Sequence, residues 1–83
     1  MEWVVVERTF PDEVTPDLVR EMAESAGGCL ELYRVEGVRS YLSPDRKRMI
    51  CVFRAPDAES VRTALRNSGS SPTSVWPSTL HTP

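Results

Sequence analysis

Histidine is almost missing from this chain: the only one is His81, in the last few residues. Cysteine is scarce too, with Cys29 and Cys51 alone. One falls on a predicted helix and the other on a predicted strand, both among apolar neighbours. They form no disulfide framework, and buried, reduced thiols in a cytoplasmic protein are expected. No apolar run approaches the roughly 20 residues that cross a bilayer, and no signal-peptide pattern opens the chain, so no membrane partner is expected. An excess of basic charge is also lacking. Ten Lys and Arg against twelve Asp and Glu leave a net charge of −2 and a pI near 5.3. That balance supplies no field for nucleic acid or an anionic membrane surface. There is no internal repeat, no low-complexity segment and no catalytic motif recognisable by spacing.

What is present is organised around Val38–Gly69, read as strand, turn, strand, helix, stop. In Val38–Leu42, Val38, Ser40 and Leu42 point one way and Arg39 and Tyr41 the other. Ser43-Pro44-Asp45-Arg46 is a turn: Pro44 presets φ, and Asp45 is placed to accept from nearby amides. On the return strand Lys47–Arg54, Ile50 and Val52 share one face while Met49, Cys51 and Phe53 share the other. Both faces are apolar, so one is expected against helices and the other against a second subunit or a ligand. Arg46, Lys47 and Arg48 form a basic cluster at the hairpin tip, read as a solvated turn. Asp57 is the expected N-cap of a helix whose apolar stripe is Ala58, Val61, Ala64 and Leu65, with Arg62 and Arg66 on its wet side. Gly69 is the expected stop.

Trp3–Arg8 reads as a central strand with Trp3, Val5 and Glu7 on one face and Val4, Val6 and Arg8 on the other. Thr15-Pro16-Asp17 starts a helix, with Thr15 as N-cap and Pro16 as its first residue. Its apolar row is Leu18, Met22, Ala26, Cys29, Leu30 and Tyr33. Gly27-Gly28 lies inside that row, where the pair either loosens the helix or admits another backbone. Thr73–Trp76 is a short last strand, confined to an edge by Pro77. The order strand, helix, strand, strand, helix, strand is the split βαβ pattern. The expected class is α+β: a ferredoxin-like βαββαβ domain over residues 1–77, with an antiparallel sheet carrying both helices on one face, and a tail over 78–83. A domain of 83 residues has little core of its own, so a homodimer closing into an α+β barrel-like unit is expected.

The middle of the chain resembles the signature of a small bacterial domain family that includes nickel-binding proteins. The triplet Arg39-Ser40-Tyr41, then Cys51 and Phe53, the run Ala55-Pro56-Asp57-Ala58-Glu59, and Val61-Arg62 carry the resemblance. The first strand and helix match more loosely. The resemblance implies a ferredoxin-like fold, dimerisation and, in one branch, binding of nickel. Family members often carry a histidine in the last helix. Here that region reads Thr63-Ala64-Leu65-Arg66-Asn67-Ser68-Gly69, without one, although imidazole suits nickel better than carboxylate alone.

Four residues are candidates for one ligand cavity: Glu7, Tyr41, Cys51 and Phe53. An enclosed Glu7 would have a raised pKa and act as acid or base, with Tyr41 donating to a ligand oxygen. Alternatively, Glu7 pairs with Arg39 or Arg48 and Tyr41 only packs. Cys51 reads as a core residue, or as a metal ligand or nucleophile. Glu7 and His81 are the candidate ligands for nickel or another divalent metal. Trp3 and Trp76 either cap the core or anchor a dimer seam. Three functions stay open. One is a small dimeric protein binding a metal ion or small molecule. Another is a cofactor-independent isomerase, cyclase or monooxygenase acting on an apolar substrate. The third is a pure interaction module whose open face only makes the dimer.

Overall fold

A computed structural model describes all 83 residues. The elements are β1 (Glu2–Thr9), α1 (Pro16–Leu32), β2 (Glu36–Leu42), β3 (Arg48–Ala55), α2 (Ala58–Asn67) and β4 (Ser74–Ser78). The strands form one antiparallel sheet in the order β2-β3-β1-β4. The expected ferredoxin-like α+β arrangement is the observed one. Strand β1 is central, as its valines on both faces require, and β4 is an edge that continues through Pro77 to Ser78. No helix is long and apolar enough to cross a membrane.

The helix-facing side of the sheet holds the core. Val4 and Val6 of β1 and Met49, Cys51, Phe53 and Ala55 of β3 meet Ala58, Val61, Ala64 and Leu65 of α2. All ten are buried. Strand parity dictates this set: β-branched and aromatic side chains at alternate positions share a face, and that face is where the helices can dehydrate them.

Local signals set the helix ends. Thr15 Oγ1 accepts from the Leu18 amide at 3.1 Å, and Pro16 opens α1. Asp57 Oδ1 accepts from both the amide and the hydroxyl of Ser60, each at 2.7 Å. These bonds hold the Asp57 carboxyl below its ordinary value. Asp57→Ala is expected to lower the thermal midpoint by about 5 °C, the order of a lost cap in a domain of this size. A melting curve unchanged from wild type would remove the cap from the account of α2. Helix α2 stops at Gly69, which adopts φ +83, while the Ser70 amide closes back on the Leu65 carbonyl at 2.9 Å. Helix α1 ends the same way on a residue that is not glycine. Arg34 takes φ 60, and the Val35 amide bonds the Leu30 carbonyl at 2.8 Å.

Helix α1 is the loosely seated one. Ala26 is its single buried residue, while Val19, Met22 and Leu30 are only partly covered. Nothing in the chain lies within 4 Å of where side chains on Gly27 and Gly28 would start, so no backbone of this chain uses the gap they leave. Cys29 is half-buried rather than buried, because α1 presents it at the margin of the core. Cys51 is buried and receives the Ser40 hydroxyl at 3.3 Å.

Candidate functional site

The face of the sheet opposite the helices is uncovered. Register places Glu7 beside Ile50, Val5 beside Val52 and Trp3 beside Arg54. It sets Tyr41 across from Ile50 and Arg39 across from Val52. On the other flank Ser74, Trp76 and Ser78 of β4 face Glu7, Val5 and Trp3. Arg54 lies over the Trp3 ring, 4.6 Å from its centroid, a cation–π contact that covers part of the indole. Tyr41, Trp76 and Ile50 remain 59%, 43% and 37% exposed.

Two clefts cross this surface. One, of about 330 Å³, is lined by Glu7, Tyr41, Arg48 and Ile50 together with loop residues at the end of the sheet. The other, of about 270 Å³, lies between Trp3, Val5, Tyr41, Val52 and Leu80. Tyr41 is common to both. Glu7 and Tyr41 are thus brought to one cleft. Cys51 and Phe53 are not, because β3 turns odd-numbered residues toward the helices, and both are buried in the core. The four therefore do not line a common wall: the thickness of the sheet separates the two pairs.

Glu7 owes its state to β4. Its Oε2 accepts from the Ser74 hydroxyl at 2.7 Å and from the Trp76 indole N–H at 3.1 Å. The Ser74 bond, then the Trp76 bond, hold its carboxyl below the ordinary value, with Arg48 adding a smaller pull in the same direction and partial burial opposing all three. This is the reverse of the raised pKa expected of an enclosed carboxylate, because two donors rather than apolar walls meet Oε2. These partners lie 67 and 69 positions away in sequence, and only the β1–β4 register reveals them. The carboxyl ionises at lower pH in the folded chain than in the unfolded one. It therefore contributes stability above the unfolded value of 4.5 and loses it as pH falls through the folded value. Glu7→Gln is expected to flatten the acid limb of stability, read as thermal midpoint from neutral pH down through the carboxylate range. An acid limb identical to wild type would overturn that role.

As a metal centre the arrangement is poor. No three His, Cys, Asp or Glu side chains converge anywhere in the chain. His81 is exposed, with Nε2 2.5 Å from the Thr79 hydroxyl. Glu7 offers a carboxylate oxygen already engaged by two neutral donors. The donor set of one chain does not fit nickel, which favours nitrogen ligands.

The crystal structure of SCO4226 from Streptomyces coelicolor A3(2) has the same fold, with a TM-score of 0.86 over 96% of this chain and 99% of that one, at 14% identity. No curated protein matches the chain at a significant level. A family model described as nickel responsive protein SCO4226-like matches residues 5–77, which span every element from within β1 to within β4. The chain belongs to this nickel-responsive, SCO4226-like family.

Proposed function

We propose that this is a small ligand-binding protein that works as a homodimer, its open sheet faces meeting around a cavity in which Glu7 and Tyr41 are the polar anchors. One observation carries the reading: the uncovered sheet face exposes Ile50, Tyr41 and Trp76 around a single oriented carboxylate, with Arg39, Arg48 and Arg54 toward its margins. Exposed apolar patches of this kind are characteristic of association surfaces. Light scattering at micromolar concentration is expected to give a mass near twice 9.3 kDa. A clean monomer would refute the dimer.

The nickel of the family description enters as a second reading, with Glu7 and His81 as its candidate ligands. Since the donors of one chain do not assemble a site, binding is expected to be weak. Calorimetric titration of nickel into tag-free protein should show no complex tighter than about micromolar, a free energy of about −8 kcal/mol. Submicromolar affinity would restore nickel as the ligand. The enzymatic alternative is less favoured. It needs Glu7 as a proton acceptor, and a carboxylate with a depressed pKa is a weak base at neutral pH.

A further inference from the structure

On the opposite side of the sheet, Arg8 is the anomaly. Strand parity aims it toward the helices, in the row of Val4 and Val6. One guanidinium nitrogen donates to the Ser70 hydroxyl, and Nε is buried with no partner. No carboxylate pairs with it: the two ion pairs of the chain are Arg20–Asp17 and Arg62–Glu59. A partly buried guanidinium with an unsatisfied N–H and no counter-charge is costly unless something else completes it.

Two cavities on the helix side meet at this side chain. The first, of about 420 Å³, has Ser25, Ser68, Ser70 and Ser71 around Arg8, with Glu21 also on its rim. The Ser71 amide makes no backbone bond. The second, of about 270 Å³, runs between α1 and the sheet and is mostly apolar, with Val19, Leu30, Met49, Phe53 and Leu65 in its walls. Arg8, Met22 and Ala26 line both. A cationic fork with hydroxyls therefore stands at the mouth of an apolar slot, beneath the helix that is least tightly held.

We propose that this junction binds an organic monocarboxylate with an apolar tail. The carboxylate completes the Arg8 guanidinium, whose fork matches two carboxylate oxygens, and the tail enters the slot under α1. An inorganic anion would satisfy the charge but leave the slot empty. A cation of the same shape would be repelled. Arg8 and Met49 also border the cleft of Glu7 and Tyr41 at the end of the sheet, but the carboxylate and its tail use only the helix side, so neither proposal depends on the other.

Decanoate serves as the probe, titrated into the full chain and followed by amide NMR. Saturable shifts are expected at Arg8, Met22 and Ser70, with the indole signals of Trp3 and Trp76 on the other face unmoved. Arg8→Gln should weaken binding roughly tenfold or more, as expected for loss of a charged hydrogen-bond partner. Ala26→Leu, which leaves the guanidinium in place and fills the slot, should weaken it too, and serves where Arg8→Gln does not fold. Decylamine should produce no such shifts. Absence of saturable decanoate shifts, equal binding by decylamine, or undiminished binding in the folded variants would overturn the proposal. Inorganic phosphate binding as tightly as decanoate would overturn the role of the apolar slot.

Discussion

Val52→Asp is expected to turn the proposed homodimer into a folded monomer. Val52 lies at the centre of the open face, opposite Val5 on one side and Arg39 on the other. In the free chain its side chain points away from the core, so an aspartate there keeps much of its water and disturbs α2 and its contacts little. Closed against a second copy, the same aspartate would lose its water, and its cationic neighbour across the strands, Arg39, would lose its water with it. Desolvating such a pair costs several kcal/mol that only excellent geometry repays, enough to shift dissociation by a hundredfold or more at about 1.4 kcal/mol per decade. Sedimentation of the variant should show a single species of about half the wild-type mass with an unchanged far-ultraviolet spectrum. A variant that stays dimeric would move the seam away from this face.

Leu65→Ala is expected to cost about 3 kcal/mol of stability. Leu65 is 1% exposed, the bulkiest of the fully buried side chains, and it meets the sheet where β1 and β3 lie side by side. A domain of this length has roughly 4–12 kcal/mol in total, so the variant should approach the edge of folding. Denaturant titration gives the difference directly. A loss below about 1 kcal/mol would mean that α2 closes over the vacated space.

The architecture was legible in the sequence because its signals are local. Strand alternation assigned Met49, Cys51 and Phe53 to one face and Ile50 and Val52 to the other, and the structure keeps that division. Asp57, Thr15, Pro16 and Gly69 marked helix ends through backbone chemistry that operates within a few residues. The candidate site was legible only in part. Glu7 and Tyr41 do reach one cleft. Cys51 and Phe53 share a strand face with Met49, and only the β1–β3 register shows that this face lies opposite Glu7. The partners of Glu7 come from a strand at the far end of the chain, so its depressed pKa depended on a register that no local pattern states. The shift of register between Gly37 and Arg39 is likewise a property of two paired strands and not of one. Arg8 looked like an ordinary strand residue until both helices were in place above it.

The edge at β4 bears on how the protein behaves when crowded. This strand pairs with β1 alone, and an edge strand with free backbone groups invites a further strand from another molecule. Here the Val75 carbonyl takes a hydrogen bond from the Arg62 guanidinium at 2.8 Å, and Pro77 brings no N–H at all. Two of the points at which an intruding strand would be stitched on are thereby withdrawn. Growth of the sheet past β4 is disfavoured by the backbone chemistry of its outermost strand, which leaves that edge a poor template for a strand from another molecule.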